Sequence, residues 1–227
     1  SNVGKPGAPD SERQRINAGV WRSHPLNEKF EVFAWGPSNP WGLDFDENGQ
    51  AFVTACVIPH LFHMIQGGRY HRQGGKHFNP YVYDDIKTIA DHRHPSAHGG
   101  ARFYLADQFQ EKYRKKLFMC NIHMHGVLVD EIKRKGSGYV ASDPEYGGTF
   151  SMSNDPQWLG FNMEIGPDGS LYAIDWHDSD LCGRKVLHRK TGRIWRYSWG
   201  KQSFPVGMDL TKLPDEELVE MHLHPNE

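Results

Sequence analysis

Alternation of apolar and polar residues, interrupted by short turns, dominates the middle of the chain. In NPWGLDFDENGQAFVTACV, residues 39–57, one alternating run precedes Glu47-Asn48-Gly49 and a second follows it. Side chains of a strand project to opposite faces at successive positions, so this pattern predicts two antiparallel strands joined by a tight turn. FNMEIGPDGSLYAIDW, residues 161–176, repeats the design: Leu43, Asp44, Phe45 and Gly49 correspond to Met163, Glu164, Ile165 and Gly169, each 120 positions further on. A looser copy is ARFYLADQFQEKYRKKLFMCNIHMHGVLVDEI, residues 101–132, with a longer connection between its strands. A third strand follows in GVLVDEI and in TGRIWRYSW, and an incomplete unit precedes them at residues 17–25.

Repeated small sheets that cannot bury both faces alone stack as the blades of a propeller, which is favoured here over a β-sandwich built from unrelated hairpins. The expected fold is all-β: a partial β-propeller over 17–199, about three blades of a parent of about six. Ala55, Asn121 and Asp175 are its equivalent strand ends, 66 and 54 residues apart. That spacing exceeds the ~40 to 50 of regular repeats, so insertions must be present. The Gly-, His- and Tyr-rich stretch 58–100 is the expected inserted loop, since loops of this length in compact domains are usually functional or disordered. Residues 1–16 read as a flexible segment. Leu213-Pro214 followed by acidic residues and Leu218, Val219 and Met221 predicts a helix, so residues 200–227 read as a linker and the start of a helical domain. A propeller needs more blades than these, which makes the chain a piece of a longer protein.

Composition narrows the chemistry. Twenty-six Lys and Arg against 28 Asp and Glu leave a formal charge of -2, which gives no electrostatic reason to bind nucleic acid. No apolar run reaches the 18 residues of a membrane span. Cys56, Cys120 and Cys182 are too scattered for a disulfide framework or a CxxC site. Fourteen His keep metal and proton chemistry open.

Two candidate metal sites stand out. Asp175, Asp178 and Asp180 offer the oxygen ligands that calcium prefers where the chain leaves a strand, with Trp176 and His177 as candidates to line a cofactor pocket beside them. Equally, these aspartates fit turn caps paired with Arg184 or Arg193. His123 and His125, two apart in a strand-like run, would face one side and could grip one ion, or serve as hydrogen-bonded structural imidazoles. His60 and His63, three apart, would align on a helical turn, although their apolar neighbours favour packing.

The phrases NPWGLDFDENGQAFVTACVIPHLFHMIQGGRYHRQGGKHFNPYVYDDIKTIADH, HGGARFYLADQF and NDPQWLGFNMEIGPDGSLYAIDWHD resemble the propeller module of bacterial proteins described as membrane-bound dehydrogenases. That module is related in turn to soluble quinoprotein glucose and sorbosone dehydrogenases. The resemblance implies a periplasmic or cell-envelope setting, a sugar or polyol substrate, and attached helical-repeat and c-type cytochrome domains. It also implies pyrroloquinoline quinone (PQQ) and calcium over the axial mouth of the propeller, with a His as proton acceptor. His98, ahead of a Gly pair in SAHGGARFY, matches that His; Arg69 and Arg102 are candidates to neutralise quinone carboxylates. The alternative is a non-catalytic propeller scaffold that binds glycan or protein partners.

Overall fold

The computed structural model describes residues 1–78, 83–90, 94–176, 190–200 and 209–224. In chain order its strands are β1 (Asn2–Val3), β2 (Gln14–Arg15), β3 (Gly19–Ser23), β4 (Phe30–Trp35), β5 (Pro40–Phe45), β6 (Ala51–Ala55), β7 (Leu61–Met64) and β8 (His98–Phe103). There follow β9 (Leu117–Asn121), β10 (Gly126–Lys135), β11 (Gly138–Ser142), β12 (Thr149–Met152), β13 (Leu159–Ile165), β14 (Leu171–Trp176) and β15 (Arg193–Tyr197). A helix, α1 (Asp215–Met221), starts after Pro214, where the proline signal predicts it. The fold is thus all-β with a short C-terminal helix.

The strands form successive antiparallel sheets: β3-β4, then β5-β6-β7, then β8-β9-β10-β11 with β12 paired to β10, then β13-β14-β15. Residues 2–3 and 14–15, in the segment expected to be flexible, pair as β1 and β2. The incomplete unit expected at 17–25 is β3, whose partner β4 was not anticipated. Residues 61–64, assigned to an inserted loop on sequence grounds, instead supply the third strand of their sheet, because Leu61, Phe62 and Met64 bury against the β6 neighbourhood.

Registers bear out the internal repeat. The β5-β6 pair shifts register between Pro40 and Gly42, and the β13-β14 pair shifts between Gly160 and Asn162, 120 positions later. Gly49 and Gly169 close the two turns at the same φ of 72°. That left-handed conformation is open to glycine at no steric cost. Ala55 pairs with Pro40, Asn121 with His98 and Asp175 with Gly160, so the three equivalent strand ends occupy equivalent places.

The first strands of these sheets, β5, β8 and β13, press together as the inner strands of neighbouring blades do. A Cβ at Gly42 would fall 2.3 Å from the Gly100 carbonyl carbon, and one at Gly99 would fall 2.9 Å from the Phe161 Cα. Backbone therefore meets backbone, which only glycine permits. Away from this column the sheets diverge and larger side chains fill the space: Phe52, Phe103, Leu117, Met119 and Leu128 in one core, and Tyr104, Phe109, Phe118, Val127, Trp158 and Met163 in the next.

Candidate functional site: a buried imidazole and carboxylate cluster

His98 opens β8 opposite Asn121 of β9. The Gly pair behind it lets the strand lie against β13, and Thr54 of β6 donates its hydroxyl to the Gly100 carbonyl at 2.6 Å. The residues before His98 are stitched across two strand ends: His98 N donates to Cys56 O at 3.0 Å, Ile122 N to Ala97 O at 3.1 Å, and Asn121 Nδ2 to Pro95 O at 2.7 Å. As a result the His98 ring is only 1% exposed.

Three further polar side chains share its enclosure. His94 Nδ1 lies 2.9 Å from His98 Nε2, so one of the two nitrogens donates to the other. The His60 ring stacks on His98 with centroids 4.3 Å apart and planes 19° from parallel. Asp130, in the otherwise apolar start of β10, accepts from His60 Nε2 at 3.0 Å, and His94 Nε2 lies 3.7 Å from its other oxygen. One potential ligand nitrogen from each of His60, His94 and His98 lies within 4.8 Å of the other two; His94, Asp130 and Asp143 form an overlapping trio on the same criterion.

Electrostatics follow from burial. Burial, reinforced by the neighbouring His60 and His94, pushes the His98 imidazole down to about 3, so it is neutral at physiological pH. Burial would raise the Asp130 carboxyl, but the hydrogen bond from His60 and the nearby His94 imidazole outweigh it and hold the group at about 2. A buried carboxylate is stable only with such partners. His98 Nδ1 has no hydrogen-bond partner despite its burial.

The other nominated residues occupy separate places. Arg69 pairs with Asp85, Nε to Oδ1 at 2.5 Å, and donates to Tyr83 O at 3.2 Å. Arg102 lies on β8 but bridges Asp44, at 3.1 Å, and Glu164. Asp175 points away from His98: its oxygens accept from Arg193 Nη2 at 2.8 Å, Arg193 N at 2.7 Å and Trp195 Nε1 at 2.8 Å. This is the Arg193 pairing that competed with calcium in the sequence. Trp176, on the opposite face of β14, packs beside Ala97, Ile122 and Leu159, next to the His98 enclosure. His177, Asp178 and Asp180 lie outside the described residues.

His123 and His125 fall in the turn joining β9 to β10, not in a strand. His123 is exposed, and His125, at φ 53°, holds the Trp158 carbonyl through Nδ1 at 2.8 Å. The shared face that a strand would give them is absent. His63 lies on β7, hydrogen-bonded to Gln50 at 3.0 Å, so it and His60 are not aligned on a helical turn. Sequence reasoning found His98 but missed His94 and Asp130 and set His60 aside as packing. The available signal was Asp130 itself, an acid directly after the apolar run Val127-Leu128-Val129.

The profile of a domain of unknown function (DUF7133) matches residues 2–199. No curated protein matches the chain. Among solved structures, a Thermus thermophilus oxidoreductase described as a glucose dehydrogenase is similar at 18% identity and a TM-score of 0.51, over 73% of this chain and 47% of that one. A PQQ-bound aldose sugar dehydrogenase from Streptomyces coelicolor gives 17% identity and 0.47, over 76% and 46%. The apo aldose sugar dehydrogenase of Escherichia coli gives 18% and 0.46, over 65% and 44%. The chain therefore spans about half the length of these proteins, and the likeness to the first is one of fold. Among the described residues no helix is long and apolar enough to cross a membrane.

Proposed function

This chain belongs to the DUF7133 family, and from that premise we propose that it forms part of a dehydrogenase that oxidises a hydroxyl group of a sugar or polyol, with PQQ as electron acceptor, in the periplasm or cell envelope. The observation that carries the reading is the place and state of His98. It heads an inner strand of a glucose dehydrogenase-like fold as a neutral imidazole, with an unpartnered Nδ1 and with Nε2 linked through His94 toward Asp130. Oxidising a hydroxyl requires a base for its proton, and a neutral imidazole hydrogen-bonded to a second imidazole, with a carboxylate behind that one, offers a nitrogen to accept it.

The two arginines nominated to neutralise the quinone carboxylates do not fit that role. Arg69 and Arg102 are both engaged by carboxylates of the protein, and Asp175 is saturated by Arg193 and Trp195, which leaves it no role as a calcium ligand. No described residue is therefore assigned to either group, and no step is routed through them. Helical-repeat and c-type cytochrome domains remain the proposed partners.

The test is reconstitution of the full-length protein with PQQ and calcium, followed by dye reduction with a panel of aldoses and polyols. Stoichiometric quinone uptake and substrate-dependent reduction are expected. His98→Gln should lower kcat by roughly 10²- to 10⁴-fold, the usual contribution of a general base. Failure of quinone to bind would remove the reading and leave the non-catalytic scaffold.

A further inference from the structure

We propose that His60, His94 and His98 together bind one divalent transition-metal ion of the zinc class, with Asp130 orienting His60 from behind. The inference goes beyond the dehydrogenase reading, which requires no ion at this place. It begins from an unusual grouping: three imidazoles, one just before β7 and two only four residues apart, before β8 and at its first residue, have ligand-capable nitrogens within 4.8 Å of one another.

Several features match a ligand set better than a packed core. The His94 Nδ1 to His98 Nε2 separation of 2.9 Å is close to the roughly 3.3 Å edge of a tetrahedron with ~2.0 to 2.1 Å metal-nitrogen bonds. His60 donates Nε2–H to Asp130 at 3.0 Å, which leaves its lone pair on Nδ1. A carboxylate behind a ligating imidazole is the arrangement that fixes tautomer and ring orientation in metal sites.

Three neutral nitrogen donors favour zinc and neighbouring divalent ions over calcium or magnesium, which take oxygen ligands. Three protein ligands also leave a fourth position open, the pattern of catalytic rather than structural zinc sites. A nitrogen that holds an ion cannot also take a proton. The two roles of His98 are therefore alternatives: it serves as base only in the ion-free protein, and in the loaded protein it is a ligand.

The experiment uses the whole chain, stripped with chelator and titrated with Co²⁺ and then Zn²⁺. One ion per chain, with the visible absorption of low-symmetry Co²⁺ displaced by Zn²⁺, is expected. His94→Gln and His98→Gln should weaken binding by more than a hundredfold, and Asp130→Asn by roughly 10- to 100-fold, as removal of a supporting carboxylate does. X-ray absorption of the Zn²⁺-loaded unmutated protein should show three imidazoles, which keeps the test independent of whether a variant folds. No bound ion at micromolar concentration, or a first shell with fewer than three imidazoles, would overturn the inference. Dye reduction enters none of these measurements: an ion without oxidation removes only the dehydrogenase reading, and oxidation without an ion removes only this one.

Discussion

Arg102 shows how a residue that sequence assigns to a ligand can be taken up by the fold. It ties β5 to β13 through Asp44 and Glu164, while Asp44 Oδ2 also accepts from Phe103 N at 2.6 Å. Burial raises the Asp44 carboxyl, so its ionised form depends on these partners. Arg102→Met is expected to lower stability by about 2 kcal/mol, the cost of leaving a mostly buried acceptor short of a donor. Glu164→Gln, at an exposed carboxylate, should cost under about 1 kcal/mol. Urea unfolding measures both; an unchanged midpoint in Arg102→Met together with weaker quinone uptake would return this residue to the cofactor. Asp168 behaves in the opposite sense. Although burial opposes it, hydrogen bonds from Ser170 and Arg196 hold its carboxyl below the usual value. Its contribution is therefore complete above the unfolded-state value of about 4 and is lost as pH falls through the lower folded value. Asp168→Asn should flatten that part of an acid-unfolding curve, and an identical acid slope in the variant would refute the assignment.

At the scale of elements, the Gly pairs that mark hairpins in the sequence turn out to serve packing as much as turning. Gly42→Ala puts a methyl within 2.3 Å of the Gly100 carbonyl carbon and 2.4 Å of Ala101 N, where backbone on both sides must move. A loss of about 1 to 3 kcal/mol is expected, typical of overpacking, whereas Gly74→Ala, with nothing within 4 Å of the new atom, should be near neutral. Thermal unfolding of the two variants distinguishes close approach from a general dislike of alanine. The same elements show what the sequence could disclose. Alternation with the Glu-Asn-Gly and Pro-Asp-Gly turns located β5, β6, β13 and β14 because strand and turn signals are local. β7 was hidden within a Gly- and His-rich stretch because IPHLFHM alternates over too few residues to declare a strand. The cluster was only one-quarter legible, through His98 and its Gly pair. Asp130 reaches it through the pairing of β10 with β9 and of β9 with β8, which no local spacing encodes, and His94, four residues before His98, lies in an irregular segment whose course no periodicity discloses.

Across the described residues, burial is deepest in β6, β8 and β9 and shallowest in the outlying strands β3 and β15. All five residues of β9 are buried and five of the six in β8, whereas β15 alternates between half-buried and exposed and β3 has a single buried residue. Local opening is easiest where few apolar contacts must break, so amide exchange should be slowest in β6, β8 and β9 and fastest in β3 and β15. The imidazole cluster crosses this gradient: His60 precedes a strand of one sheet, while His98 and Asp130 belong to the next. An ion held there adds to the links by which the two sheets already meet, among them the Gly42 to Gly100 approach, the hydrogen bonds Thr54 to Gly100 and Phe103 to Asp44, and the His60–Asp130 pair. At free metal a hundredfold above Kd, binding adds about 2.7 kcal/mol to the folded state. Exchange at residues that open only by global unfolding should slow accordingly on adding Zn²⁺, roughly a hundredfold. Fast sites in β15, remote from the cluster and opening locally, should not change. Slowing confined to residues 94–98 would mean that the ion orders one connection without joining the sheets, and equal slowing in β15 would mean that the sheets open as one unit.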